Sequence, residues 1–280
     1  MNQPIPLTEE GFSRTNLKSL RLEPLTHYSM GDNITPEWNY QALSAGRFHS
    51  EELLNFFHLQ QKYKPMMRLD LGRKILSEIP REQVILYTDA FDVLFNNSLA
   101  SIYAYFLEIE SDSAPDSFGR KPAIIFNGEK GCWPESHLAT SYPESDIGTD
   151  SPFLNSGIMI GRCGAILDVL ERKTKDLSQE EHAFWDDVYE RTLKTDDQCF
   201  WNHAYLHSLK NGDLPRIHVD HDCRLACCMF SRSMETLAAS NNIVFLKNTG
   251  VRPCLLHFNG PTKFGMKGVA VQLGYPEVAE

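Results

Sequence analysis

The stretch Ile85-Leu86-Tyr87-Thr88-Asp89-Ala90-Phe91-Asp92-Val93-Leu94-Phe95 decides how this chain is read. An apolar run stops at two aspartates three residues apart, and apolar residues resume directly after them. A short continuous apolar run bounded in this way reads as a strand buried on both faces. Two carboxylates at its end put hard oxygen donors near one point. Mg²⁺ and Mn²⁺ favour such donors and complete their shells with phosphate oxygens. The plain alternative is a helix N-cap with a first-turn acid. The spacing of Asp89 and Asp92 does not separate the two.

Outward from this strand (Val84 to Tyr87), helical and extended patterns alternate. Met66 to Ile79 places apolar residues largely on one face and ends at Pro80. Leu99 to Ile109 reads as a helix and Ala123 to Phe126 as a buried strand. Residues 127–153 show little periodicity. Leu154-Asn155-Ser156-Gly157 reads as a turn feeding a strand that runs to Gly161. Helices are expected over Gly164–Thr174, Glu181–Leu193 and Gln198–Leu209, and short strands over Ile217–Asp220, Ile243–Leu246 and Cys254–His257. Upstream, Pro4 to Leu7 is extended, Gly11 to Leu20 is helical, Leu25 to Met30 is a strand, and Ser50 to Gln60 is helical. Strands alternating with helices predict an α/β fold with a mostly parallel central sheet flanked by helices, in a single domain over 1–280. Ligands of such sheets gather at the carboxyl ends of strands. Asp89 and Asp92, the Asn155 turn and His257 all fall there.

The totals narrow the partners. The 280 residues carry a net charge of −10, with 42% hydrophobic and 23% charged residues. A net-acidic chain argues against nucleic acid or anionic membrane as partner. No apolar run approaches the ~20 residues of a membrane span, and the N-terminus lacks a signal-peptide pattern, so a cytoplasmic location is expected. Homo-oligomerisation is compatible with the composition but not specified by it. The seven cysteines are odd in number and irregular in spacing, as reduced thiols would be. Cys223, Cys227 and Cys228, with His218, His221 and Asp222 nearby, keep a small zinc site as the alternative.

Four further features bear on chemistry. His257 ends a strand and precedes Asn259-Gly260-Pro261-Thr262-Lys263. It could be a third metal ligand and would bias the site toward Mn²⁺, because imidazole is softer than carboxylate. Lys263 can serve a diphosphate as a point charge. Asp196-Asp197-Gln198 reads as a helix cap, or as acids that bind sugar hydroxyls or a cationic acceptor. Trp133, in Cys132-Trp133-Pro134-Glu135, is either a satellite core anchor or a lid over a sugar or base.

These segments, in this order and approximate spacing, resemble the glycosyltransferase domain of the procollagen lysyl hydroxylases over about residues 5–265. The Thr8 to Arg14, Gly31 to Trp38 and His218-Val219-Asp220-His221 segments are similar to it as well. The resemblance implies a GT-A type fold and transfer of a hexose, glucose, from a UDP-sugar with Mn²⁺ (Mg²⁺ as the alternative) to a hydroxyl acceptor of the glycosylated hydroxylysine type. By position, Asp89, Asp92 and His257 would hold the metal. Trp38 and Phe91 would face the uracil. Lys64, Asn259, Gly260 and Lys263 would lie along the ribose and diphosphate. Trp133, Asn155, Asp196 and Asp197 would line the sugar and acceptor side. The chain departs from the family at its short N-terminal segment, at the reduced acidic run, at Ile158, and at Phe258, which is expected to narrow the pocket beside the metal. A metal-dependent UDP-sugar hydrolase and a non-catalytic nucleotide-sugar-binding module are the rival readings.

Overall fold

The computed structural model describes residues 5–7, 24–32, 36–48, 54–59, 62, 64 and 66–276. Its centre is a seven-stranded sheet of β1 (Ile5–Leu7), β2 (Leu25–Gly31), β3 (Phe56–Leu59), β4 (Val84–Thr88), β6 (Pro122–Glu129), β7 (Phe153–Arg162) and β8 (Arg216–Asp220). The spatial order is β1-β3-β2-β4-β7-β6-β8. Neighbours are parallel except at β7, which runs antiparallel to both β4 and β6. This is the mostly parallel α/β class that the sequence predicts.

The apolar runs follow from burial on both faces. Side chains alternate across a strand. Ile85 and Tyr87 of β4, with Ile124 and Phe126 of β6, pack beneath α2 (Met67–Leu76), α4 (Cys163–Leu170), α5 (Gln179–Lys194) and α6 (Asp197–Lys210). Val84, Leu86, Ile125 and Ile160 pack on the other side, where α3 (Leu99–Asp112) supplies Leu99, Ile102 and Phe106, and α1 (Pro36–Gly46) supplies Ala45. Ser98 caps α3, and a Ser178/Glu181 capping box opens α5.

A second, three-stranded sheet stands at the carboxyl end of β4. Its middle strand β12 (Leu255–His257) is antiparallel to β5 (Val93–Phe95) and parallel to β9 (Ala226–Cys228). A hairpin of β10 (Leu237–Ser240) and β11 (Ile243–Leu246) and the last helix, α7 (Lys263–Gln272), complete the chain.

Several expectations change. Of the helix predicted over Ser50–Gln60, the described part holds the strand β3 at Phe56–Leu59, and residues 50–53 and 60 lie outside the described residues; a short apolar run has no period that distinguishes the two states, and pairing to β2 selects the strand. The expected helix at Gly11–Leu20 lies outside the described residues. Residues 127–153 hold more order than expected: β6 continues to Glu129, followed by a 3₁₀ segment at Ser136–Ser141 and a helical turn at Glu144–Ile147. Leu154 to Gly157 is not a turn. It lies inside β7, where pairing to β6 jumps from Phe126↔Met159 to Asn127↔Asn155. Two asparagines satisfy the bulged backbone: Asn155 Oδ1 accepts from Gly157 N (2.9 Å) and Asn127 Oδ1 from Ile158 N (3.2 Å). Among the described residues, no helix is long and apolar enough to cross a membrane.

Candidate active site

Asp89 follows β4 directly, and Asp92 leads directly into β5. Pairing of β5 with β12 places His257 opposite Val93, so the histidine meets the aspartates although 165 or more residues separate them in sequence. His257 Nε2 lies 3.4 Å from Asp89 Oδ2 and 3.6 Å from Asp92 Oδ1. One donor atom from each of the three residues falls within 4.8 Å of the others. His257 Nε2 and Asp92 Oδ1 are buried and make no hydrogen bond. Buried polar atoms are ordinarily hydrogen-bonded, so an imidazole nitrogen and a carboxylate oxygen without such a bond, both facing a second carboxylate, fit a cation. The other ring nitrogen, Nδ1, is 3.5 Å from Cys228 Sγ, which in turn accepts from Asn127 Nδ2 at 2.8 Å. These contacts fix the ring orientation, as a metal-binding imidazole requires.

The backbone of Gly157 closes the other side of the triad. A Cβ on Gly157 would sit 2.1 Å from His257 Cε1 and 2.7 Å from Asp89 Oδ2. The glycine of Leu154-Asn155-Ser156-Gly157 is therefore needed for close approach, not for an unusual dihedral.

The triad borders a cavity of about 450 Å³. Trp133, Asn155, Asp196, Asp197, Asn259, Gly260 and Lys263, all singled out in the sequence, line it with the three candidate ligands. Lys263 Nζ pairs with Asp92 Oδ2 at 3.0 Å, and the lysine is half exposed. Asp196 keeps its capping role, accepting from Gln198 N at 2.9 Å, and also accepts from Trp133 Nε1 at 2.6 Å. The indole is 60% exposed, so Trp133 is a rim residue and not a core anchor.

Two expected residues, Phe91 and Lys64, stand apart from this cavity. Phe91 packs edge-on against Phe56 and covers Gly31, and Lys64 precedes α2; neither lines the cavity. Trp38 lies in α1, and its side chain is outside the described residues. Phe258 does not narrow the pocket. It is fully buried in the core beside Leu94 and Met266, because the alternation of β12 turns it away from His257. The Cys223, Cys227 and Cys228 thiols are buried and free, and among the described residues they form no metal-binding group with His218, His221 or Asp222.

Arg68 and Glu129 are the cavity residues that sequence reasoning missed, and Gln198 entered it only within the Asp196-Asp197-Gln198 helix start. Arg68 bridges two carboxylates, Asp89 Oδ1 at 2.9 Å and Asp197 Oδ2 at 2.8 Å, with its guanidinium 4.5 Å above the Tyr87 ring. Gln198 donates to Glu129 Oε1 (2.6 Å) and to the Trp133 carbonyl (2.9 Å), and accepts from Ser156 N (3.1 Å). Glu129 also accepts from Asn259 Nδ2 at 3.0 Å. One buried network thus joins β6, β7, α6 and the loop after β12. Glu129 escaped the strand-end rule because the expected strand stopped at Phe126, whereas β6 continues to Glu129. Arg68 carried no motif; its signal was a cation among the apolar positions of an amphipathic helix.

The electrostatics divide the acids. Burial would raise the pKa of Asp89, but Arg68, His257 and Lys263 outweigh it and hold the carboxyl well below its usual range. Burial pushes Asp197 up to about 6, against the pull of Arg68, and Asp89 and Asp196 add to the rise. Burial likewise raises Glu129. Burial would lower His257, yet Cys228, Asp92 and Asp89 around the ring raise it well above its ordinary value.

Comparisons with known proteins agree with this geometry. The family model described as PLOD GT domain matches residues 66–272, well over half the chain. A procollagen-lysine,2-oxoglutarate 5-dioxygenase of Drosophila melanogaster is 34% identical over 119 residues, 42% of this chain and 15% of the relative. The human multifunctional procollagen lysine hydroxylase and glycosyltransferase LH3 is 30% identical over 187 residues, 65% of this chain and 21% of the relative. The chain thus spans about a fifth or less of the length of these relatives. Among solved structures, a glycosyltransferase involved in glycosylation of the major capsid of PBCV-1 superposes with a TM-score of 0.45 at 13% identity, over 89% of this chain and 98% of that one. With the motif residues assembled at one strand end and a family match that contains them from Arg68 to Lys263, the chain belongs to the PLOD GT domain family of glycosyltransferases.

Proposed function

We propose that the chain transfers a hexosyl group, glucose, from a UDP-sugar to a hydroxyl acceptor, with a divalent cation held by Asp89, Asp92 and His257. The observation that carries this reading is the pair of buried ligand atoms without a hydrogen bond, His257 Nε2 and Asp92 Oδ1, beside Asp89 at the edge of the cavity. Two carboxylates and one imidazole suit Mn²⁺ better than Mg²⁺. When bound, the cation supplies Lewis-acid stabilisation of the departing diphosphate. Lys263, half exposed beside Asp92, adds a cationic donor to the same oxygens. Asn259 and Gly260 border the cavity beside it and orient the diphosphate and ribose.

On the sugar side, Asp196 and Trp133 act as a unit. The carboxylate fixes the indole, and the indole edge excludes water from the reacting bond. Asp197, with a pKa near 6, can hold or release a proton around neutral pH, and Arg68 fixes its orientation. The acceptor proposed is a hydroxyl on a glycosylated hydroxylysine-type group, because relatives of this domain occur in proteins named procollagen lysine hydroxylases.

The test is Mn²⁺-dependent UDP release from UDP-glucose with a panel of hydroxyl acceptors. Product bound to acceptor is expected, with Asp92→Asn and His257→Ala losing both activity and Mn²⁺-dependent UDP binding. Free hexose alone, whatever the acceptor, would replace the transferase reading with a hydrolase. Retention of UDP–Mn²⁺ binding in His257→Ala would remove the histidine from the ligand set.

A further inference from the structure

A second group of metal-competent side chains lies behind the cavity wall. α6 carries Cys199 and His203 one turn apart on the same face. The loop after Trp133 brings Glu135 against both. Cys199 Sγ is 3.3 Å from Glu135 Oε2, and His203 Nε2 is 2.7 Å from the same oxygen. The three donor atoms lie within 4.8 Å of one another. Arg191 holds the other oxygen, Glu135 Oε1, at 3.0 Å, so the carboxylate is anchored while Oε2 stays turned toward the thiol and the imidazole. Cys199 is buried; Glu135 and His203 are largely so.

We propose that Glu135, Cys199 and His203 form a Zn²⁺ site, separate from the Asp89, Asp92 and His257 triad, with water as the fourth ligand. A tetrahedral ion with bond lengths of about 2.0 Å to nitrogen and oxygen and 2.3 Å to sulfur sets N···O at ~3.3 Å and S···O at ~3.5 Å. The two separations to Glu135 Oε2 need to open by only about 0.6 Å and 0.2 Å to reach those values. One thiolate, one imidazole and one carboxylate form a set that selects zinc over the harder Mn²⁺. As the metal bonds form, the Cys199 proton and the proton that His203 Nε2 shares with Glu135 leave to solvent, the latter directly or after transfer to Nδ1, and the two hydrogen bonds to Glu135 Oε2 are exchanged for bonds from the sulfur, the nitrogen and the oxygen to the metal. No oxidant or reductant is required.

The position gives the site a consequence. Glu135 lies two residues after Trp133, and α6 begins with Asp197 and Gln198, which line the cavity. Zinc would join the indole loop to that helix and stiffen the sugar side of the pocket.

The test uses the 280-residue chain, freed of metal and titrated with Co²⁺ as a spectroscopic stand-in for Zn²⁺. One equivalent should develop a thiolate-to-Co²⁺ charge-transfer band with tetrahedral d–d bands, and added Zn²⁺ should bleach both. Cys199→Ser should abolish the charge-transfer band. His203→Gln should weaken Co²⁺ affinity at this band by at least about 100-fold, the upper range for loss of an outer-shell partner. Asp92→Asn should leave the band in place, because that triad has no thiol. Absence of the band in the unaltered chain, or its persistence in Cys199→Ser, would overturn the assignment. If Cys199→Ser does not fold, His203→Gln decides, and an unchanged affinity there refutes the site.

Discussion

Replacing Gly157 by alanine adds one methyl group at the tightest point of the candidate metal site. The new Cβ would lie 2.1 Å from His257 Cε1, 2.8 Å from His257 Nε2 and 2.7 Å from Asp89 Oδ2. Ordinary carbon contacts need about 3.5 Å, so the imidazole must retreat by roughly 1.4 Å or β7 must shift. The ring has little room: it is 1% exposed, and Cys228 Sγ stands 3.5 Å from its far nitrogen. β7 is held as well, through Asp89 N donating to Gly157 O at 2.7 Å and through pairing to β4. Overpacking of this kind costs about 1–3 kcal/mol. Metal sites tolerate ligand errors of about 0.2 Å, and misplacement by about 1 Å costs on the order of 100-fold in rate. The expected outcome is a folded protein, destabilised by about 1–3 kcal/mol in thermal melts, whose Mn²⁺-dependent UDP release falls at least about 100-fold. Activity within threefold of the unaltered chain, together with unchanged Mn²⁺ affinity, would refute the argument that Gly157 is required by the ligands.

Other perturbations test the electrostatics and the sugar side. His257 must lose its proton to bind a cation, and its pKa is raised well above the ordinary value. Mn²⁺ affinity should therefore rise about tenfold per pH unit below that pKa, and calorimetry showing pH-independent binding between pH 6 and 8 would contradict it. Asp197 is raised to about 6, so the folded state binds more protons than the unfolded chain between pH ~4 and 6, and this residue makes stability fall as pH rises through that window. Asp197→Asn should remove a slope worth on the order of 3 kcal/mol, read as a flatter denaturation midpoint across pH 4–7. Trp133→Phe deletes the donor to Asp196 while leaving the helix cap. Acceptor KM should rise roughly 10-fold, a charge-assisted hydrogen bond's worth, with donor KM unchanged; a selective rise in donor KM would place the indole on the nucleotide side instead.

Local pattern carried much of this protein. The run before Asp89 reads as a strand buried on both faces, and alternation of Ile85 and Tyr87 with Leu86 accounts for it. Helices with clear start signals, such as α3 after Ser98 and α5 after Ser178, lie within a few residues of their expected bounds. Where pattern was short, it failed. Phe56 and Phe57 carry no period, and only pairing to β2 makes them a strand. Leu154 to Gly157 looks like a turn because Asn, Ser and Gly are turn formers; inside β7 the same residues serve a bulge.

The sequence by itself determined the chemistry on offer: two acids at a strand end, a histidine at another, an acidic helix start, and a tryptophan and a lysine in loops. It could not determine which of these meet, because contacts between residues 68, 89, 129, 197 and 257 depend on pairing of distant strands and not on local spacing. Tertiary structure decided that His257 reaches Asp89 and Asp92 through β5 and β12, and that Phe258 turns into the core. It also placed Arg68 between two carboxylates that have no signal in common along the chain. The physical reason is that a buried charge is tolerated only where a partner neutralises it, and only the folded chain selects that partner.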